Sequence, residues 1–318
     1  MAKNNKIEFL AIVGATASGK TGVSLELAKR LNGEIISCDS MQVYQDMDIG
    51  TAKPTAEERS DIPHHLIDVA RAEQTFSCAE YVSLANEAIL SVVSRGKTPI
   101  LCGGTGLYLD ALLRGGFEET DAAPEIRKQL FAYAEEYGVI ALHERLRAVD
   151  AESADAIHPN NVKRVVRALE IYESTGMTKT ETDRRSLKLP PPYCATVIGL
   201  YYPNREVLYE RISKRVEQML LDGLEEETRT LEKDGVFLTN TTASQAIGYK
   251  ELLPYIRGEE SLDVAKENLI RATRRYAKRQ MTWFRAKPYV QWLNMTCGDE
   301  LRPLGAVADE VESLWNQR

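Results

Sequence analysis

The sequence predicts an α/β protein: a doubly wound parallel sheet, like that of P-loop NTPases, carrying an all-helical insertion. Three observations support this. Short apolar, β-branched runs alternate with helical periodicities through the first third of the chain. A glycine-rich loop joins the first strand to the first helix. From residue 124 to about residue 175 the strand signal stops and only the helical period remains.

Residues 7–13 form an apolar run suited to a strand buried on both faces. Residues 14–19 make the loop, after which Val23, Leu25, Leu27, Ala28 and Leu31 recur near helical spacing and stop at Asn32-Gly33, a C-cap signal. Residues 34–37 read as a second strand, with Asp39 just past its end. A helix is expected over 77–95, then a third strand over 99–102 closed by Gly103-Gly104-Thr105-Gly106. Gly115-Gly116 ends this alternation, and Pro190-Pro191-Pro192 marks the exit from the helical stretch. Strand-like residues 196–200 and 289–293 bracket a mostly helical remainder. The domain reading is a core of residues 1–122 with 193–318, and a helical insertion over 123–192.

A chain of 318 residues can bury one large core or two modest ones. No signal-peptide-like stretch precedes the first strand, and no segment approaches the roughly 20 apolar residues of a membrane span. The five cysteines are scattered and form no CxxC pair, which points away from disulfides and zinc and towards a reducing cytoplasm. A net charge of −7 taken alone argues against binding a polyanion. Residues 266–287, however, hold eight basic side chains and one acidic one. Screening over about 10 Å lets such a stripe act locally on an acidic protein.

Gly14-Ala15-Thr16-Ala17-Ser18-Gly19-Lys20-Thr21 matches G-x-x-x-x-G-K-[ST] in full. The loop amides and helix N-terminus form an anion cradle, Lys20 adds a point charge, and the Thr21 hydroxyl suits Mg²⁺. Asp39 falls on the same sheet edge, as base, metal ligand or Asx-turn. Thr105 falls there too, among glycines that permit close backbone approach. No Asp closes residues 100–103, which weighs against ATP hydrolysis. On a helical wheel, Leu269, Ala272, Tyr276, Trp283 and Phe284 share one arc, while Arg271, Arg274, Arg275, Lys278, Arg279 and Arg285 lie opposite, a basic face suited to phosphate backbones. A second helix over 161–173 turns Val162, Val165, Val166 and Leu169 inward and leaves Lys163, Arg164 and Arg167 elsewhere. His64-His65 has no metal-ligand spacing and reads as structural.

Taken in order, these blocks resemble the tRNA dimethylallyltransferases, in their bacterial form, over nearly the whole chain. The matching blocks are the phosphate loop, Asp39-Ser40-Met41-Gln42-Val43-Tyr44, residues 48–54, residues 63–68, Gly103 to Tyr108 and His158-Pro159-Asn160. Further on come Arg164 with residues 167–170, residues 245–250 and residues 279–285. Ala15 stands where the family often has Pro, a change neutral for the backbone.

The resemblance implies transfer of a dimethylallyl group from dimethylallyl diphosphate to N6 of the adenine beside the anticodon, in tRNAs reading codons that begin with U. It assigns Asp39 and Thr105 to catalysis, and Gly14, Thr16, Ala17, Ser18, Gly19, Lys20, Thr21, Arg211 and Arg215 to the diphosphate. Thr21 would hold Mg²⁺. The tRNA anticodon stem-loop would meet Asp39, Ser40, Met41, Gln42, Arg127, Lys163, Arg164, Arg167, Gln245, Gly248, Lys250, Arg271, Arg274, Arg275 and Lys278. A monomeric, cytoplasmic enzyme is expected. Three readings compete: a small-molecule P-loop kinase, an adenylate isopentenyltransferase with a free nucleotide acceptor, and a non-enzymatic RNA-binding module. The basic helix disfavours the first two, and the intact phosphate loop disfavours the third.

Overall fold

Six strands form one parallel sheet: β1 (Ile7–Gly14), β2 (Gly33–Ser37), β3 (His64–His65), β4 (Thr98–Gly103), β5 (Tyr193–Tyr201) and β6 (Val290–Asn294). Their order is β3-β2-β4-β1-β5-β6. This computed structural model describes residues 6–114, 123–188, 193–298 and 300–317. β1 is central, paired Val13 to Gly103 on one side and Gly14 to Leu200 on the other. Its last six residues are all buried, which explains the unbroken apolar run: neither face of a central parallel strand meets water.

The helices are α1 (Lys20–Arg30), α2 (Ala56–Asp61), α3 (Cys78–Ser94), α4 (Gly106–Leu113), α5 (Pro124–Val149), α6 (Ala151–Ala156), α7 (Val162–Thr175) and α8 (Lys179–Lys188). After β5 come α9 (Arg205–Leu221), α10 (Leu224–Lys233), α11 (Val236–Thr239), α12 (Tyr249–Ile256), α13 (Leu262–Arg285) and α14 (Leu304–Asn316). The helix expected over 77–95 is α3, started by a capping box between Ser77 and Glu80. β3 was not foreseen. Two residues carry no readable period, and their pairing with Ile35 and Ile36 of β2 is what makes them a strand. Gly115-Gly116 and Pro190-Pro191-Pro192 lie outside the described residues.

The chain divides into two compact units, Met1–Leu113 with Pro192–Arg318, and Arg114–Pro191. In the second unit, Leu130, Leu142 and Leu146 of α5 pack with Val165, Val166 and Leu169 of α7. Gly138 breaks α5 at φ 88°, a conformation glycine adopts without steric cost. Glu170 is fully buried in this unit and accepts from Arg127 and Arg167, each at 2.9 Å. Among the described residues, no helix is long and apolar enough to cross a membrane.

Because all six strands run the same way, the loops after β1, β2 and β4 emerge on one edge. Two of these strands are β1's ladder neighbour and next neighbour, so the phosphate loop, Asp39 and Thr105 are carried side by side.

Candidate active site

The phosphate loop leaves β1 at Gly14, whose φ of 142° and a Cβ site 2.6 Å from the Leu200 carbonyl oxygen both require glycine. Ala17 takes φ 62°, a left-handed value that is strained for a residue bearing a Cβ. α1 then begins at Lys20 with no side chain capping its N-terminus, leaving first-turn amides open to an anion. The loop is held by its own lysine and by two side chains from far along the chain. The Lys20 amine donates to the carbonyls of Gly14 at 3.1 Å and Ala15 at 2.7 Å. Arg211 Nε donates to the Ala17 carbonyl at 2.8 Å, and the Thr16 amide donates to Gln280 Oε1 at 2.8 Å. The Ser18 hydroxyl is buried and makes no hydrogen bond among the described residues.

An open cavity of about 510 Å³ lies over this loop, lined by residues 17–22 and by Arg211, Lys214 and Arg215 of α9. Arg211 and Arg215, four apart, therefore present one helix face to it. Lys20 is lowered to about 8, chiefly by burial and further by Arg215, while Cys102 and Asp39 act the other way. Burial also lowers Arg215, against the pull of Asp39. None of Lys20, Arg211 and Arg215 has an ion-pair partner among the described residues.

Asp39 stands two residues beyond β2, and its Oδ1 accepts from the Met41 amide at 2.9 Å, an Asx-turn. Only that oxygen is committed to the turn. Two smaller cavities meet at Asp39. One of about 80 Å³ also includes Thr16, Lys20, Thr21, Cys102, Arg215 and Tyr276. The other, about 210 Å³, runs from Ser40 and Met41 to Gln245, Gly248 and Tyr276. Thr105 lines none of the three. Its hydroxyl accepts from the Ser40 amide at 3.0 Å, so it braces the turn carrying Asp39. Gln42 is occupied in the fold, accepting from Ser37 Oγ at 2.9 Å and donating to the carbonyls of Thr51 and Ala52 at 3.2 and 3.1 Å.

The glycines after β4 admit the protein's own chain. A Cβ at Gly103 would lie 2.0 Å from the Cys38 oxygen, at Gly104 2.1 Å from Gln280 Nε2, and at Gly106 2.2 Å from Trp283. The blocks 48–54 and 63–68 also interlock. Lys53, only 2% exposed, bonds Asp48, Asp68 and the Tyr44 carbonyl, and Arg59 meets Asp68 at 2.7 Å. Glu227 accepts from the amides of Asp48 and Gly50 at 3.0 Å, from Ile49 at 2.8 Å, and from the Tyr249 hydroxyl at 2.6 Å. Nothing in its acidic run foretold that role, and Gln280 was likewise visible only as one letter of a block. His65 bonds Glu34 at 2.7 Å and His64 the Ile62 carbonyl at 2.7 Å, both serving the sheet.

On α13, Arg271, Arg275, Lys278 and Arg279 are exposed. Arg274 departs from the expected outward face: it is half-buried, stacked 4.9 Å over Tyr209 and donating to Ser213 on α9. In the second unit Lys163 and Arg164 are exposed, while Arg127 and Arg167 are engaged with Glu170. Lys250 donates to Gln245 at 2.7 Å.

A family model described as IPP transferase matches residues 42–287. The tRNA dimethylallyltransferase of Halalkalibacterium halodurans is 49% identical over 292 residues, 92% of each chain. That of Bacillus pumilus is 46% identical over 295 residues, again 92% of each. The crystal structure of the tRNA isopentenylpyrophosphate transferase of Staphylococcus epidermidis superimposes with a TM-score of 0.70 at 44% identity, covering 98% of this chain and 100% of that one. A eukaryotic dimethylallyltransferase acting on tRNA superimposes with a TM-score of 0.80 at 30% identity, covering 98% and 80%.

Proposed function

This chain belongs to the IPP transferase family, and from that premise we propose that it transfers a dimethylallyl group from dimethylallyl diphosphate to tRNA. The atom alkylated is N6 of the adenine beside the anticodon, in tRNAs reading codons that begin with U. One observation carries this reading: three cations without carboxylate partners among the described residues surround a phosphate loop, next to a carboxylate with one oxygen outside its turn.

The residues then divide the work. Lys20, Arg211 and Arg215 bind the diphosphate and stabilise the charge it gains as the allylic C–O bond breaks and the diphosphate keeps the bonding pair. The N6 lone pair forms the new C–N bond, and the N6 proton passes to the free Asp39 oxygen. Thr105 acts through Ser40, holding the turn that aims Asp39. Thr21 is exposed and lines both the loop cavity and the smaller cavity that Asp39 also lines, and its hydroxyl is a hard oxygen donor of the kind Mg²⁺ takes. Thr21 would hold Mg²⁺, which would supply further charge neutralisation for the diphosphate.

The acceptor adenine has to leave its stack to reach Asp39, which a single-stranded loop permits at low cost. The exposed face of α13 in the first unit, and Lys163 and Arg164 in the second, are the surfaces for the anticodon stem-loop. Incubation with labelled dimethylallyl diphosphate and either tRNA or AMP tests the proposal. Label is expected in tRNA. Label in AMP alone would overturn the acceptor, and label in neither would overturn the reaction.

A further inference from the structure

We propose that Gln280 is a positioning residue: its amide ties the diphosphate loop to the turn beyond β4, and thereby to Asp39. The inference rests on the diphosphate reading of that loop. β1 and β4 pair as far as Val13 and Gly103, where the backbone ladder ends. Just beyond, Gln280 Oε1 accepts from the Thr16 amide at 2.8 Å and its Nε2 donates to the Gly104 carbonyl at 3.1 Å. A primary amide offers an acceptor and a donor, as a peptide group does, so the side chain continues the ladder by one rung.

The rung is built in. Gln280 is 6% exposed, and a Cβ at Gly104 would lie 2.1 Å from its Nε2, so only glycine leaves room there. From Gly104 the connection continues through the Thr105 amide, which donates to the Cys38 carbonyl at 3.1 Å, directly before Asp39. One buried amide thus links the loop bearing Lys20 to the turn bearing the proton acceptor. Misplacing such groups by about 1 Å costs on the order of 10²-fold in rate.

Gln280→Glu is the discriminating variant, because a neutral carboxylic acid can make both hydrogen bonds and a carboxylate cannot donate. Single-turnover transfer and pyrophosphate affinity would be measured for wild type, Gln280→Ala, Gln280→Glu and Lys20→Ala, with tRNA affinity alongside. Gln280→Ala is expected to slow transfer roughly 10- to 100-fold and to weaken pyrophosphate about tenfold, with tRNA affinity within about twofold. The rate of Gln280→Glu relative to wild type is expected to rise at least about fivefold as pH falls from about 8 to about 6, as the new carboxyl protonates. A filler of the core would show no such recovery. A pH-independent ratio near one, or wild-type pyrophosphate binding by Gln280→Ala, overturns the inference. Unchanged pyrophosphate binding by Lys20→Ala would instead overturn the diphosphate reading itself.

Discussion

Two sets of basic side chains in this molecule are neutralised in opposite ways. In the helical unit, Arg127 and Arg167 close on the buried Glu170, so their counter-charge comes from within the fold. Around the phosphate loop, Lys20, Arg211 and Arg215 have no ion-pair partner among the described residues, and burial disfavours the charged form of Lys20 and Arg215. Desolvating a charge without a partner costs stability. A folded chain keeps such an arrangement where an anion arrives from outside, and that is where function concentrates. The paired set holds a shape; the unpaired set, on the proposed reading, is left for an anionic ligand.

The largest effect that would sharpen this contrast is expected at Asp39, a carboxylate that lines one cavity with Lys20 and Arg215. Asp39→Asn can keep the hydrogen bond from the Met41 amide, so the turn survives while the proton acceptor is lost. Single-turnover transfer is expected to fall about 10²–10⁴-fold with tRNA affinity little changed. A near-wild-type rate at low Mg²⁺ would leave Asp39 as a turn-former only, and partial recovery at high Mg²⁺ would mark it as a metal ligand.

Lys20→Ala comes next. Losing one electrostatic group from a preorganised site costs about 10²–10³-fold in transfer. Thermal stability should hold or rise, because the folded state disfavours this charge. The Lys20 ammonium titrates at about 8, below its ordinary value, so the folded protein binds fewer protons than the unfolded chain between there and 10.5. Any stabilisation by Lys20→Ala is therefore full below about 8 and fades as pH rises towards 10.5. In wild type, kcat/KM for the donor should fall as pH rises through about 8. A clear drop in melting temperature in the alanine variant would break the contrast, since it would make Lys20 part of the scaffold.

Glu170→Gln probes the other set and should invert the pattern. Burial pushes the Glu170 carboxyl up, but hydrogen bonds from Arg167 and Arg127 outweigh it and hold the group below the ordinary carboxylate value. The ionised form therefore adds stability at neutral pH that is lost as pH falls through the folded-state value. Both arginines are partly exposed and can rehydrate, so the loss is expected near 1–3 kcal/mol, below the figure for a fully buried pair. Thermal unfolding across pH checks it: the gap between wild type and variant should narrow in acid. A transfer defect without a stability defect would move these arginines into the functional set.

Much of this organisation was legible from the sequence where the physics is local. The phosphate loop is contiguous, and a strand, a turn and a helix each leave their own period around it. What escaped depends on separation along the chain. Gln280 meets Thr16 across 264 residues, and no local pattern marks a glutamine whose amide continues a ladder. The glycines at and beyond the end of β4 signal close approach, and what approaches is the Cys38 carbonyl, Gln280 and Trp283. Glu227 disappeared into an acidic run, although it binds three consecutive amides. Arg274 was misplaced because a helical wheel finds the centre of a buried face but not its width. α9 packs along the flank of α13 and takes in Arg274 through Tyr209 and Ser213.

The smallest effect belongs to charges that are neither buried nor paired. Arg275 and Lys278 are exposed on α13, and no acid interleaves among the basic residues from 271 to 287. Their side chains have no hydrogen-bond or ion-pair partner among the described residues to lose, so Arg275→Ala with Lys278→Ala should leave melting within about 0.5 kcal/mol of wild type. Contact with the tRNA backbone would show in the salt dependence. Each phosphate contact adds roughly 0.7–0.9 to the slope of log affinity against log salt, so the double variant should flatten it by somewhat under 2. Pyrophosphate affinity should not move, because neither residue lines the cavity over the phosphate loop. Arg274 supplies the internal control. It packs against α9, so Arg274→Ala should lower stability while changing the slope less than either neighbour does. A slope unchanged in the double variant would make this face solvated surface, and a slope change larger at Arg274 would put the tRNA on the α9 flank instead.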